Sequence, residues 1–98
     1  MMYLKIYNIE SEIMVAACDR KLIGKTFREG ELTIHVSKGF YKGESATETE
    51  VIDALQKATI ANLLGEKAIS CGVKSGVIDQ DNVSTISGVQ HAQMVRMP

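Results

Sequence analysis

The sequence predicts an α+β domain of two layers, an antiparallel or mixed sheet of short strands with one long helix, kinked or broken, packed on one face. Three observations lead there. β-prone runs of alternating character occupy both ends of the chain, a single helical block with a capping signature fills the middle, and 98 residues at 45% apolar suffice for one core. A single domain over residues 1–98 is therefore expected.

Met2 to Tyr7 (MYLKIY) alternates, and Ile13 to Ala17 (IMVAA) follows after a polar break, the signature of an antiparallel hairpin. The second run is apolar on both faces, as an inner strand would be. Asp19 stands where it caps a single helical turn that Gly24 ends. Glu31 to Ser37 puts Leu32, Ile34 and Val36 on one face of a strand and Thr33 and His35 on the other. Residues 38–46 read as a loop. Thr47 with Glu50 three positions on forms a capping box, so a helix starts there. At 100° per residue Val51, Leu55, Ala58, Ile69 and Val73 share a stripe. A straight helix over 48–74 would measure about 40 Å at 1.5 Å per residue, whereas a compact chain of this length is only about 32 Å across. A break near Gly65 is the consequence, with Gly76 as the terminal cap. Asp79 to Asn82 reads as a turn, and Val83 to Ile86 and His91 to Met97 as two β segments joined through Ser87-Gly88-Val89.

The formal charge is -1, so affinity for a polyanion must come from a local patch rather than from the molecule as a whole. Cys18 and Cys71, with no secretory segment read, suit reduced thiols in a cytoplasmic protein. No apolar run is long enough to span a membrane, and neither membrane nor DNA is an expected partner.

Gly24-Lys25-Thr26 resembles the end of a phosphate loop, but position 19 holds Asp where that pattern needs glycine. Four cations (Arg20, Lys21, Lys25, Arg28) run without an acid from 20 to 28, whereas 44–66 carries five acids against Lys57. Such a run is either a solvated turn or a surface for phosphates. Asn62 sits mid-stripe between Thr59 and Glu66, and an amide facing a core must find partners. His91 and Gln93, two apart in a strand, point the same way and are the natural companions of Asn62. Cys18, His35, Cys71 and His91 lack the close pair spacings of zinc sites, and no metal or other cofactor is implied.

The runs Leu22-Ile23-Gly24-Lys25-Thr26-Phe27-Arg28-Glu29-Gly30, Ala58-Thr59-Ile60-Ala61-Asn62-Leu63 with Gly65-Glu66, and Gly88-Val89-Gln90-His91-Ala92-Gln93 together resemble an archaeal family catalogued as domain of unknown function 424. The resemblance spans nearly the whole chain. Gln90 stands where that family is expected to carry proline. The resemblance implies an archaeal cytoplasmic α+β protein in a translation-related setting, and it brings no catalytic residues with it.

The leading expectation is a non-catalytic binding or accessory domain that meets RNA or a ribonucleoprotein. Lys25, Thr26 and Arg28 would take phosphates while Asn62, Glu66, His91 and Gln93 line an adjoining groove. The rivals are a small hydrolase or transferase using Cys18 with His91, or His91 with Glu66, and a protein-binding or homo-oligomeric unit covering Ile60, Leu63 and Leu64.

Overall fold

The computed structural model describes residues 1–96. Eight strands and three α-helices follow one another as β1 (Met2–Ile9), β2 (Glu12–Asp19), β3 (Thr26–Glu29), β4 (Leu32–His35), α1 (Lys38–Tyr41), β5 (Glu44–Ala46), α2 (Glu48–Lys57), β6 (Ile60–Leu64), α3 (Glu66–Ser75), β7 (Ser84–Ile86) and β8 (Val89–Val95). Short 3₁₀ turns stand at Arg20–Leu22 and Gln80–Asn82. Six strands form one mixed sheet in the order β5-β1-β2-β6-β8-β7, and β3 and β4 pair separately as a hairpin. The α+β class is as the sequence predicts.

The predicted long helix is corrected. Residues 48–57 and 66–75 are helical, but between them β6 runs parallel to β2, with Val15 opposite Ala61 and Ala17 opposite Leu63. The chain does break beside Gly65, and the break contains a buried strand. This strand absorbs two of the apolar residues that strayed from the helical stripe, since Leu63 is 0% and Leu64 1% exposed. They need no cover from a partner. Thr59 marks the entry: its N–H donates to the Ile13 carbonyl while its hydroxyl accepts from the Ile13 N–H at 2.9 Å, locking β6 to the start of β2.

Alternation along the strands then sorts side chains to two faces. Val15, Ala17, Ala61, Leu63 and Ala92 pack against α2 and α3 through Val51, Leu55, Ala68, Ile69 and Cys71. On the opposite face Ala16, Cys18 and Leu64 meet Leu22, Val36 and Tyr41, with Phe27, Ile34 and Phe40 packed beside them. Two layers become three over part of the sheet, because the β3–β4 hairpin and α1 cover that second face. The loop expected over 38–46 contains α1, capped by Ser37, and the edge strand β5. Val73, assigned to the buried stripe, is 37% exposed, and Leu32 is 59% exposed at the rim of the hairpin.

The turn chemistry follows the sequence more closely. Ser87 (φ 49°) and Gly88 (φ 79°) make the two-residue turn between β7 and β8, and Gly76 ends α3 in the left-handed region. The last β segment ends at Val95, and Met97, read from the sequence as part of it, lies outside the described residues. No described helix is long and apolar enough to cross a membrane.

Candidate functional site

Asp19 is the one buried charged residue among those described, 5% exposed at the end of β2. Its sequence context suggested a cap for the 3₁₀ turn that follows it, but no side-chain cap forms there. The carboxylate instead accepts from the backbone N–H of Lys67 at 3.1 Å and of Ala68 at 3.0 Å. It thus caps α3 across the parallel β2–β6 pair, where anionic charge complements the helix dipole. Gly65 makes the approach possible. It adopts φ 103°, and a Cβ there would lie 2.7 Å from Asp19 Oδ2.

A crevice of about 480 Å³ opens at this end of the sheet, lined by Arg20 and Lys21 from the 3₁₀ turn and by Glu66, Lys67 and Ser70 from α3. Open sheets bind ligands beyond the carboxyl ends of parallel strands for topological reasons, and β2 and β6 are such a pair. Glu66, expected near Asn62, instead lines this crevice as the first residue of α3, directly after Gly65. Sequence reading missed Asp19 as the cap and Lys67 as a lining residue. The available signal was the apolar run ending in Gly65-Glu66, a strand-to-helix turn rather than a mid-helix glycine.

The second cluster lies on the sheet face that α2 and α3 leave uncovered. Gln93 Nε2 donates to Asn62 Oδ1 at 2.8 Å, so the structure brings these two amides together. Asn62 Nδ2 has the Met14 sulfur 3.9 Å away as a weak acceptor. His91 points to the same side of β8 as Gln93, half-buried, and burial alone holds its imidazole below the usual range. Phe27 and Ile34 turn inward from the hairpin while Thr26 and Arg28 stay exposed. Thr26 Oγ1 and His35 Nδ1 are 2.7 Å apart, and the hydroxyl of Ser87 donates to the Arg28 carbonyl, tying the hairpin to the β7–β8 turn.

The hairpin carries only part of the positive charge on this side. Residues 20–42, which build the layer over the second face, hold six lysines and arginines against two glutamates. Residues 48–75, which span α2 and α3, hold three cations against four acids. Lys38 from α1 and Lys42, its C-cap, thus join the run of four recognised in the sequence, and a Cβ at Gly24 would lie 3.2 Å from Lys38 Cε, so the lysine stem passes over the basic turn. Among the described residues the one ion pair is Lys74 with Glu48 at 2.8 Å. Arg20 rests 5.2 Å from the centre of the Tyr3 ring, a cation–π contact that holds it in place.

Other chemistries find less. The N–H groups of Gly24 and Lys25 are committed to the carbonyls of Val36 (2.8 Å) and Leu22 (3.1 Å), so they form no phosphate cradle. Cys18 is fully buried, and burial, then the neighbouring Asp19 charge, pushes its thiol up to about 12. Leu64 stands between Cys18 and His91 in register, which puts their backbones about 10 Å apart at two strand spacings. Neither hydrogen bond nor ion pair joins His91 to Glu66 among the described residues. Cys18 and Cys71 lie in different core clusters, and no described group of three His, Cys, Asp or Glu side chains is arranged to hold a metal ion.

Comparison with known proteins gives two matches. Residues 7–97 match the family model described as "Protein of unknown function (DUF424)". The crystal structure of an uncharacterized conserved protein from Methanopyrus kandleri is similar at a TM-score of 0.79 and 28% sequence identity, over 99% of this chain and 95% of that one. No curated protein matches.

Proposed function

The chain belongs to the DUF424 family, and from that premise we propose that it is a non-catalytic binding domain that meets RNA, free or in a ribonucleoprotein, through its cationic layer. One observation carries the reading: the hairpin bearing Lys25, Thr26 and Arg28 packs on the same face of the sheet that presents Asn62, His91 and Gln93. Cations and amides thus share one side of the molecule, although the sequence separates Arg28 from Asn62 by 34 positions. Lys25 and Arg28 take phosphate oxygens as point charge and planar fork respectively. Thr26 adds a hydroxyl beside them. The amides supply polar edges to whatever the phosphates bring alongside, and Glu66 sits apart at the crevice.

The catalytic rivals draw no support from the side chains they need. A thiol raised by burial has little thiolate at neutral pH, and His91, its backbone about 10 Å away across two strand spacings, is out of hydrogen-bond reach of the thiol proton.

Retention of RNA from a cell extract, with and without nuclease, tests the proposal. The Lys25→Ala/Arg28→Ala double variant is expected to lose retention, and its affinity for a purified RNA to vary less steeply with salt. Retention and salt dependence both equal to those of the parent protein would end the RNA reading.

A further inference from the structure

The six-stranded sheet is covered unequally on its second face. The hairpin lies over the end that carries Cys18 and Leu64 and α1 lies over β1, where Phe40 stacks on Tyr7 at 5.5 Å, while the opposite end of β2, β6 and β8 has no described element over it. The register aligns Tyr7, Met14, Ile60 and Val95 in one row across four strands, β1, β2, β6 and β8. Met14 and Ile60 are half-buried and belong to neither core cluster, and Val95 is 66% exposed. The next row holds Lys5, Ala16, Asn62 and Gln93. A flat apolar strip is therefore bordered by an amide pair.

We infer that this open half of the sheet seats an unpaired base of single-stranded RNA, with the base lying on Met14, Ile60 and Val95 and its edge read by Gln93 and Asn62. The inference rests on the RNA reading above and narrows it. Charge complementarity selects the occupant, because Lys38 and Lys42 at the two ends of α1 flank the strip beside Tyr7 and the hairpin continues the positive charge over the same face, where residues 20–42 hold six cations against two acids and a polyanion is the partner that neutralises them. Two further points favour a single strand. A duplex keeps its bases stacked, whereas a strip of this kind offers contact to the flat face of a splayed base. After donating one hydrogen to Asn62, Gln93 retains its Oε1 acceptor and the second Nε2 hydrogen. An acceptor beside a donor on one amide complements any unpaired base edge that sets a donor beside an acceptor, as adenine does with its exocyclic amine and adjacent ring nitrogen and uracil with its N3–H and adjacent carbonyl.

Fluorescence anisotropy with three labelled probes of equal length tests this: oligo(A), oligo(U) and a fully paired RNA duplex. Oligo(A) and oligo(U) are both expected to bind, with the duplex weaker by roughly tenfold, the loss of one bidentate amide–base contact. Gln93→Ala should weaken both single strands toward the affinity of the duplex and leave the salt dependence as it was, since it removes no phosphate contact. Ile60→Lys, which roughens the strip while adding positive charge, should weaken oligo(A) binding although charge alone predicts a gain. Equal affinity for strand and duplex, or a preference for single strands that Gln93→Ala leaves whole, would overturn the inference and leave RNA binding intact. No binding to any probe would overturn both.

Discussion

Asp19 ends one strand and caps a helix that begins 47 positions later, so a short stretch of chemistry ties the strand β2 to the start of α3. Its substitution by alanine strands two helix N–H groups and is expected to cost about 1–2 kcal/mol in urea unfolding. Gly65→Ala should cost more, because φ 103° with ψ 159° is a conformation essentially restricted to glycine, worth about 1–3 kcal/mol of strain, and the new Cβ also meets the Asp19 carboxyl. The two effects separate in a double-mutant cycle. In the Asp19→Ala background Gly65→Ala should lose the part of its penalty that comes from the carboxyl, although the Cβ at position 19, 2.8 Å away, stays, and strictly additive costs would show that the carboxylate and the glycine do not constrain one another. His91 contributes with the opposite chemistry. Burial lowers its folded pKa below the unfolded value near 6.5, so the unfolded chain binds the proton first and stability is fully present above that value. It is drained as pH falls from there through the folded pKa. His91→Gln should flatten the stability profile over that window, and parallel profiles for the two proteins would refute the assignment.

Among the elements, α2 shows the closest agreement between local code and structure. Thr47 and Glu50 form both halves of the capping box, with the Thr47 N–H donating to Glu50 Oε1 at 3.0 Å and the Glu50 N–H to Thr47 Oγ1 at 3.2 Å. β6 shows the least. Its five residues are IANLL, too short an apolar run for periodicity to separate strand from helix, and Leu55, Ala58 and Ile69 keep helical phase across it. What makes it a strand is nonlocal: a place beside β2 whose side chains are apolar on both faces. The helix-length arithmetic signalled a break, and Thr59-Ile60, β-branched and adjacent, was the residue-level hint. The hairpin β1–β2, the Ser87-Gly88 turn and the Gly76 cap were legible because each is decided within a few residues. Packing of α3 on β6 sets a further expectation. A Cβ at Gly72 would lie 2.6 Å from Leu63 Cδ1 and 2.8 Å from Ile78 Cγ1. Alanine brings a helix-propensity gain near 1 kcal/mol, but overpacking against a fully buried leucine costs about 1–3 kcal/mol. Gly72→Ala should therefore lower stability, and Leu63→Val should recover part of the loss in the double variant. A Gly72→Ala protein as stable as the parent would mean that α3 shifts outward freely.

For the molecule as a whole the decisive quantity is where its charge lies, since a net charge of -1 gives no long-range attraction for a polyanion. The contiguous cations Arg20 to Arg28 were visible in the sequence, but Lys38 and Lys42 join them only because α1 folds onto the same side of the sheet as the hairpin. The amide pair was likewise half legible: the companionship of Asn62 and Gln93 was expected from residue type, while its basis, strand pairing of β6 with β8, was not. A comparison of two variants with equal charge change separates position from net charge. Lys38→Ala/Lys42→Ala and Lys57→Ala/Lys74→Ala each remove two cations, the first pair from the layer over the second face and the second from α2 and α3. If RNA lies against the second face, the first variant should lower the slope of log affinity against log salt by up to about 1.4, at roughly 0.7 per phosphate contact for a single strand. The second should leave it unchanged, because exposed lysines on the far side release no counterions from the bound strand. Loss of Lys74 also frees Glu48, but an exposed pair of this kind contributes little to stability, so both variants should stay folded. Equal slopes for the two variants would mean that RNA senses only the total charge, and the assignment of a binding face would fail with it.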